Sequence, residues 1–440
     1  MKIHIFDKFD YIILLCIFFL TFMGIAFIYS SGINSDGILT SREYLKQIMW
    51  MGIGLGVLVI AAFFDFRHLK RYSFGLYLFI IAVLIYTMLF GKYVKGARSW
   101  IGIRNLGIQP SEPCKIIYIL FLALYLERTP HEKPLKRFIY ALTIMLIPMG
   151  LILLQPDLGT ATVYLPIFIF MCFMANVPVR YLGLVLGIGM GTIVCTVLPI
   201  WELAIIKGSV PLVRILTDNK LKMTVILATG MISGIGILGQ VIFKQKYFYW
   251  IAYLFAILFV SLLLSIPAGK VLRPYQIQRL IVFLDPQSDP LGSGWNIIQS
   301  KIAIGSGNLL GRGFLKGTQS HYHFLPEQST DFIFSILAEE TGFFGGILVF
   351  SAFFVILIRI IRIIHITSNV YGNFIASGIL GMYFYHFIIN VGMVMGIMPI
   401  TGIPLPFLSY GGSALLTNML AAGLLMSIKS RRLDFSVDII

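Results

Sequence analysis

Charged side chains are scarce in this sequence of 440 residues: they make up 12% of it, whereas hydrophobic side chains make up 58%. A soluble globular domain has about 25% charged residues, so this class is excluded. Disordered chains are excluded as well, because they combine low hydrophobicity with high net charge. The four cysteines lie inside or at the edge of apolar runs, which predicts packing residues and neither a disulfide scaffold nor a metal site.

Apolar runs of about 20 residues recur along the chain, and a run of that length crosses the hydrocarbon core of a bilayer as a helix. The sequence therefore predicts an all-α polytopic membrane protein with about 12 transmembrane helices in a single membrane domain, 1–440. The predicted spans are 11–30, 47–64, 73–91, 110–126, 138–154, 158–176, 181–200, 223–243, 247–266, 331–358, 371–392 and 411–428.

The charges that remain are mostly positive, with 34 Lys and Arg against 19 Asp and Glu. Several basic clusters occupy short loops that lie, for an even number of spans, on the same side as both termini. That side is predicted to be cytoplasmic. Many cations nevertheless fall on the opposite, outer side, mostly in 92–115 and 269–330. They indicate either an anionic ligand or contact with membrane lipid headgroups, and nucleic acid is not a predicted partner.

The segment 269–330 is the longest connection between predicted spans, and a long loop without its own domain is usually functional. It is predicted to be an extracytoplasmic loop with a short interfacial or re-entrant stretch at 297–304. His321, His323 and Glu327 suit either a divalent metal or ordinary loop structure. Four glycines suit either a phosphate cradle or the ends of a re-entrant helix: Gly305, Gly307, Gly311 and Gly313.

Four acids are candidates for chemistry. Asp331 opens an apolar span, where it either complements the helix dipole or serves as a carboxylate whose basicity is raised by desolvation. Glu339 and Glu340 lie two helical turns deeper, where ionisable groups are costly. They are interpreted as functional groups or as members of an ion pair with a neighbouring span. Asp157, between the fifth and sixth spans, suits a helix N-cap or a catalytic group.

A second polar group lies in the outer loop before the fourth span. This loop carries Arg98, Trp100 and Arg104. Glu112 and Lys115 follow with a spacing of i,i+3, which predicts an ion pair on one face of a helix. Trp100 suits either an interfacial anchor or a platform for a sugar or isoprenoid.

Six long motifs occur in a fixed order: GARSWI, QPSEPCK, QPDLGT, RLIVFLDPQSDPLGSGWNIIQSKIAIGSGNLLGRGF, FLPEQSTDFIFSILAEETGFFG and MPITGIPLPFLSYGGSALLTNM. Through them the chain resembles the SEDS family (shape, elongation, division, sporulation) over nearly its whole length apart from about 201–268. Because members of this family usually have about ten spans, the additional runs predict a transmembrane hairpin inserted at 201–268.

The resemblance implies an enzyme that polymerises lipid II on the outer face of the cytoplasmic membrane beside a class B penicillin-binding protein. It places the essential carboxylate in the TDF motif, which is Asp331 here. Trp100, the pair Glu112 and Lys115, and Asp157 match other positions that are important in the family.

Two departures from the family pattern are informative. Ser329 stands where members typically have a histidine, so that histidine cannot be required for the chemistry here. Thr401 stands where the division member of the family has a lysine, which favours the elongation member.

The predicted function is that of a peptidoglycan glycosyltransferase that forms β-1,4 glycan strands during cell elongation and releases undecaprenyl diphosphate. Asp331 is predicted to act as the general base that takes the proton of the attacking hydroxyl, with inversion at the anomeric carbon. Cationic side chains, and a divalent cation such as Mg or Mn, would stabilise the leaving diphosphate. The candidate substrate-binding residues are Trp100, Arg98, Arg104, Glu112, Lys115, Asp157, Arg279, Lys301, Thr330 and Ser409.

The predicted partners are lipid II, a class B penicillin-binding protein, the elongation machinery and membrane lipids. The predicted location is the bacterial cytoplasmic membrane, with the active site on the extracytoplasmic face. The alternative function is a lipid II flippase, since intramembrane acids and interrupted spans suit alternating access. An inactive scaffold would leave the intramembrane acids unexplained.

Overall fold

The computed structural model describes residues 9–94, 97–103, 106–202, 210–271, 274–289, 292–322 and 324–431. In these residues the chain is mostly helical, with sixteen α-helices. The helices are α1 Tyr11–Ser31, α2 Glu43–Phe63, α3 Leu69–Phe90, α4 Ser111–Arg128, α5 Pro134–Leu154, α6 Leu158–Met174, α7 Val179–Trp201, α8 Pro211–Thr217, α9 Asn219–Phe243, α10 Lys246–Val271, α11 Pro274–Leu284, α12 Ser293–Ser306, α13 Thr318–His321, α14 Ile333–Ile366, α15 Val370–Val394 and α16 Gly412–Ser430. The predicted helical membrane fold is confirmed.

Every predicted span corresponds to one of these helices. Ten helices in the described residues are long and apolar enough to cross a membrane. Two further helices that we predicted as spans are α4, which has charged residues near both ends, and α6, which has only 17 residues. The predicted total of about 12 spans therefore stays a prediction.

The spans are apolar on all sides, which is typical of membrane helices. On α1, for example, Ile13, Ile17 and Leu20 are buried in the protein, while Leu15 and Phe22 are exposed. Because one face packs on other helices and the other face is equally apolar, the exposed face suits contact with lipid tails.

The loop before α4 contains a small antiparallel sheet that we did not predict. Its strands are β1 Lys92–Val94, β2 Ala97–Ile103 and β3 Leu106–Ile108, in the order β1-β2-β3. Trp100 lies opposite Lys92 in the register of β1 and β2. The ring of Trp100 packs on Gly107, where an added Cβ would lie 2.9 Å from its Cε3 atom.

The chain forms two compact units, Met1–Asn176 with Asn296–Ile440, and Val177–Trp295. In the first unit α15 packs on α4, α6 and α14, while α16 packs on α2, and α1 on α14. In the second unit α10 packs on α7 and α9. The predicted inserted hairpin, 201–268, lies in the second unit and contributes α9 and α10 to it. The inserted hairpin and the single membrane domain 1–440 stay predictions.

The segment 269–330 contains three helices of its own in its described parts, α11, α12 and α13. The stretch 297–304, predicted to be a short interfacial or re-entrant helix, is part of α12. Helix α12 is fixed to the first unit at Ser300, whose hydroxyl lies 2.8 Å from the Ser335 hydroxyl and donates to the Val394 carbonyl at 2.6 Å.

Helix α14 is broken at Gly342, which has φ 66° and ψ −159°. The break removes helical hydrogen bonds, and a loop from 308–313 replaces them. The Phe343 N–H donates to the Asn308 carbonyl at 2.9 Å. In return the Arg312 and Gly313 N–H groups donate to the Glu339 and Glu340 carbonyls, each at 3.0 Å.

A buried ion cluster joins three helices of the first unit, near the end of α14 that is distant from Gly342. Asp10 caps α1 and is bound by Arg359 of α14 at 2.7 Å and Lys429 of α16 at 2.9 Å. Burial alone would raise the pKa of Asp10, but the hydrogen bonds and charges of these two cations outweigh it and hold the pKa below its usual value.

Candidate active site

Asp331 lies in the turn that leads into α14, and its backbone is held on two sides. Its N–H donates to the Glu327 carbonyl at 3.2 Å, and its own carbonyl accepts a hydrogen bond from Asn390 Nδ2 at 3.0 Å. Glu327 has a left-handed backbone with φ 55°, which forms the bend before Asp331. The side chain of Asp331 is half-buried. Thr330, also half-buried, donates its hydroxyl to the Glu327 carbonyl at 3.2 Å.

The segment 401–411 lies beside Asp331. The Tyr410 N–H donates to the Ser329 carbonyl at 2.8 Å, and Asn390 Nδ2 also donates to the Ile403 carbonyl at 2.8 Å. Ser409 is buried, and its hydroxyl accepts from the Leu405 N–H at 2.9 Å. The structure therefore brings Ser409 close to the Asp331 turn, with its hydroxyl engaged inside its own segment.

Ser329 donates its hydroxyl to Glu43 Oε2 at 2.6 Å. Gln47, one turn further along α2, donates to the Ser409 carbonyl at 3.2 Å. Helix α2 therefore contacts both segments of the site. We did not predict a role for Glu43 or Gln47, because polar residues near the end of an apolar run are common at ordinary helix ends.

The predicted pair of Glu112 and Lys115 forms on α4, with Lys115 Nζ 2.9 Å from the carboxylate. Lys115 Nζ also lies 3.2 Å from His386 Nε2, and His386 Nδ1 lies 3.0 Å from the Pro404 carbonyl. A carbonyl only accepts, so Nδ1 carries the proton and Nε2 accepts from Lys115. The pair is thus inside the helix bundle, and a role in substrate binding stays a prediction.

Asp157 is the N-cap of α6, which agrees with the first of its two interpretations. It accepts from the Thr160 N–H at 3.1 Å and from the Thr160 hydroxyl at 2.9 Å, and Gln109 Nε2 donates to it at 2.7 Å. Desolvation raises the pKa of Asp157 above its usual value, although the hydrogen bonds from Thr160 oppose this effect.

The motifs around Asp157 and Glu112 meet the segment 401–411 and the start of α16 that follows it. An added Cβ at Gly159 would collide with the Thr401 carbonyl, so the start of α6 touches this segment. The Gln109 N–H donates to the Ser413 hydroxyl at 3.0 Å, at the start of α16. Four motifs that are distant in the sequence therefore converge on one region of the first unit.

The predicted cations are distributed more widely. Arg98 of β2 donates to the Leu89 carbonyl at 2.9 Å. Lys301 is exposed on α12, and an added Cβ at Gly396 would lie 2.6 Å from its Nζ. Arg279, on α11 in the second unit, lies 5.7 Å from the ring centroid of Tyr275. Arg104 lies outside the described residues. Trp100 is half-buried.

Glu339 and Glu340 are buried and bind the loop that precedes the site. Glu339 Oε1 accepts from the Thr318 N–H at 2.7 Å and from the Gln319 N–H at 2.9 Å. Glu340 Oε2 accepts from the Leu315 N–H at 3.0 Å. Glu340 Oε1 also accepts a hydrogen bond from the Ser30 hydroxyl of α1. The two acids therefore connect α14 to this loop, and Glu340 connects it to α1 as well.

Two glycines of this loop are explained by the same packing. An added Cβ would collide with the Ala338 carbonyl at Gly307 and with the Glu340 carbonyl at Gly311. Close approach of the loop to α14 accounts for both glycines without a phosphate. For the predicted metal alternative, His321 Nδ1 lies 2.8 Å from the Ile33 carbonyl, and His323 lies outside the described residues.

Comparison with known proteins identifies the family. Residues 10–202 and 200–433 match the FtsW/RodA/SpoVE family, described as cell cycle proteins. The chain belongs to this family. The predicted resemblance, and the likeness to its elongation member RodA, are confirmed.

The family relatives cover the chain almost completely. It is 50% identical over 433 residues to the peptidoglycan glycosyltransferase RodA of Treponema pallidum (strain Nichols), covering 98% of this chain and 100% of that protein. It is 31% identical to the peptidoglycan glycosyltransferase MrdB of Escherichia coli (strain K12), covering 88% and 85%. The Treponema alignment runs through 201–268, so this segment is not peculiar to the present chain.

Solved structures show the same fold. RodA of Thermus thermophilus is similar with a TM-score of 0.61 and 21% identity, covering 97% of this chain and 98% of that one. A chain from a peptidoglycan synthase complex that coordinates polymerization and crosslinking is similar with a TM-score of 0.68 and 24% identity, covering 97% and 99%.

Proposed function

We infer that this member of the FtsW/RodA/SpoVE family is a peptidoglycan glycosyltransferase. The observation that carries the inference is the 50% identity with a RodA of that activity along the whole of both chains. The convergence of its polar motifs on the turn that holds Asp331 supports the same conclusion. In this turn the carboxylate of Asp331 is half-buried and its backbone is fixed, as a general base requires.

The proposed reaction joins two sugars of lipid II. A sugar hydroxyl of the acceptor attacks the anomeric carbon of the donor, the bond from that carbon to the lipid diphosphate breaks, and undecaprenyl diphosphate leaves with the bonding electrons. Asp331 accepts the hydroxyl proton. A single displacement inverts the anomeric centre, so an α-linked donor gives a β-1,4 glycan.

The leaving diphosphate requires positive charge more than it requires an acid. Exposed Lys301 on α12 is one proposed contact, because α12 is fixed at Ser300 to Ser335, one helical turn after Asp331. Arg98, Arg104 and Arg279 remain proposed contacts of the same kind.

We also propose that a divalent cation neutralises part of the negative charge on the leaving diphosphate. Within the described ranges, no group of three or more His, Cys, Asp or Glu side chains could hold a metal ion. The side chains therefore do not fit a resident metal centre, and no step of the reaction is derived through one. Mg²⁺ that arrives with a diphosphate needs only one or two carboxylates.

The proposed setting is the bacterial cytoplasmic membrane, with the site on its extracytoplasmic face. The proposed partner is a class B penicillin-binding protein, which would crosslink the strands as they grow. The fold shared with a chain of a peptidoglycan synthase complex supports this proposal.

The test is polymerisation of lipid II by the purified protein in detergent, with and without the penicillin-binding protein. We expect the wild type to form glycan strands and Asp331→Asn to lose at least about 10²-fold in rate, which is typical of removing a general base. Asparagine keeps the size of the side chain, so thermal stability should change little. A flippase without polymerase activity would form no strands.

Two control variants sharpen this test. Asp36→Asn changes an exposed acid in the loop between α1 and α2 and should polymerise like the wild type. Glu327→Gln should cost less than Asp331→Asn, because it keeps the Glu327 carbonyl that accepts the hydrogen bond from the Asp331 N–H. Strong loss in Glu327→Gln with a near-normal Asp331→Asn would transfer the role of base to Glu327.

A further inference from the structure

Asn390 is a fully buried amide in the apolar helix α15, with 0% of its surface exposed. Its Nδ2 donates to two backbone carbonyls, Asp331 at 3.0 Å and Ile403 at 2.8 Å. Both acceptors are carbonyl oxygens, so the amide orientation is determined: only the NH₂ group can face them. Asn390 is therefore one side chain that bridges the turn of the proposed base and the segment 401–411.

The segment that Asn390 binds contains two prolines. It reads Ile403-Pro404-Leu405-Pro406, and proline has no N–H to donate. Buried carbonyls need partners, and α15 supplies two. Asn390 donates to the Ile403 carbonyl, and His386, one turn earlier on the same face, to the Pro404 carbonyl at 3.0 Å. These two side chains attach the segment to α15.

The orientation of Asn390 leaves a buried polar atom unused. Its Oδ1 is buried and has no hydrogen-bond partner within the part of the chain that the structure describes. Unpaired buried polar atoms are rare and call for an explanation. A leucine at this position would fill similar space without that disadvantage, so the two hydrogen bonds from Nδ2 are the reason for an amide here.

We propose that Asn390 is a positioning residue for the polymerase reaction. Because Asn390 donates to both the Asp331 carbonyl and the Ile403 carbonyl, it fixes the position of the base relative to the segment 401–411. A catalytic group must be held within about 0.5 Å of its productive geometry, and the backbone of Asp331 is the part that Asn390 fixes. This inference rests on the proposed role of Asp331 as the base.

The variant Asn390→Leu tests the positioning role of Asn390, since leucine removes both hydrogen bonds without adding a charge. We expect the kcat of lipid II polymerisation to fall at least about 10-fold, while KM stays within about 2-fold, because an interaction that matters only in the transition state changes kcat. If Asn390→Leu does not fold, Asn390→Asp serves instead. It keeps the shape and replaces the NH₂ donor with oxygen, so the same loss of kcat is expected.

The matched control is Asn373→Leu on the same helix. Asn373 Nδ2 donates to the Thr367 carbonyl at 3.0 Å, and its Oδ1 is likewise buried and without a partner in the described residues. It lies 17 residues from Asn390 along α15, about 25 Å at 1.5 Å per residue. Asn373→Leu should lower the melting temperature as Asn390→Leu does, with kcat near that of the wild type.

Three results would overturn the proposal: a folded Asn390→Leu with kcat near that of the wild type, a rise in KM at unchanged kcat, or equal losses of kcat in both leucine variants. Failure of the underlying function is distinguishable from these. If Asp331→Asn polymerises normally, the base assignment fails whatever Asn390 does. If Asp331→Asn is inactive and Asn390→Leu is normal, only the positioning role fails.

Discussion

Lys115 is a cation held inside the helix bundle, with 1% of its side chain exposed. The carboxylate of Glu112 and the Nε2 atom of His386 are its two partners. Of these two partners Glu112 carries the negative charge, and the charge of Asp157 also interacts with Lys115. Removing one member of a buried ion pair leaves the other charge uncompensated in a medium of low dielectric constant, which is far more costly than removing both.

We therefore predict that Glu112→Gln destabilises the protein by about 3–5 kcal/mol, the usual cost of breaking a buried pair. The double variant Glu112→Gln with Lys115→Met should recover much of this stability, and thermal unfolding in detergent measures both. Glu132→Gln is the control, since its pair with Lys136 is exposed (side chains 40% and 54%) and should give no resolvable shift. Equal shifts in Glu112→Gln and Glu132→Gln would contradict the prediction.

Some residues of the site were predictable and others were not, for physical reasons. The pair of Glu112 and Lys115 follows from local helical spacing, and the cap at Asp157 from the chemistry of helix starts. Asn390 and His386 were missed, although two polar residues four apart in an apolar span are a usable signal. Their partners, the carbonyls of 403 and 404, are distant in the sequence.

At the scale of elements, the break in α14 determines where its membrane-crossing part begins. A continuous helix of 34 residues would be about 50 Å long, well beyond the hydrocarbon core. The break at Gly342 separates the turns that carry Glu339 and Glu340 from the apolar remainder. Those two acids can then bind the loop 315–319 without lying in the apolar part of the helix.

We predict that Gly342→Ala destabilises the protein by at least about 1–3 kcal/mol, because its backbone conformation is essentially confined to glycine. The added Cβ would also collide with the Gly311 N atom and lie 2.7 Å from the Leu309 carbonyl. Gly346→Ala is the control on the same helix. Its Cβ would meet only Phe334 Cζ, at 3.7 Å, so this variant should match or exceed the wild type in melting temperature.

The sequence predicted the span at 331–358 but not its break. The apolar run GFFGG continues the helical pattern, and the break depends on contacts with the loop 308–313 that no local pattern reveals. The sheet of β1 to β3 was missed for a similar reason. Its strands are short, and glycines and charged residues interrupt the alternation that would mark them.

For the whole molecule, the spans determine on which side of the membrane each loop is predicted to lie. Five predicted spans separate the loop 128–137 from the segment 269–330, and an odd number places the two on opposite sides of the membrane. The positive-inside rule then makes the first cytoplasmic and the second extracytoplasmic.

We predict that a thiol at Lys316 reacts with an impermeant reagent added to intact spheroplasts, whereas one at Glu132 reacts only after lysis. Both positions are exposed, so accessibility within the protein does not limit either reaction. Cys195, which is half-buried, is replaced by serine in both variants, while the other three cysteines are buried. The reverse pattern would place the site in the cytoplasm and exclude polymerisation on the outer face.

The cluster around Asp10 has a consequence for the order in which the molecule is completed. The ribosome makes Asp10 before Arg359, and Arg359 before Lys429. Membrane helices insert first and associate afterwards. Helix α1 therefore enters the bilayer before Lys429 is available to bind Asp10. The cluster can close only after α16 has been made, and a nascent chain that stops before α16 cannot complete it.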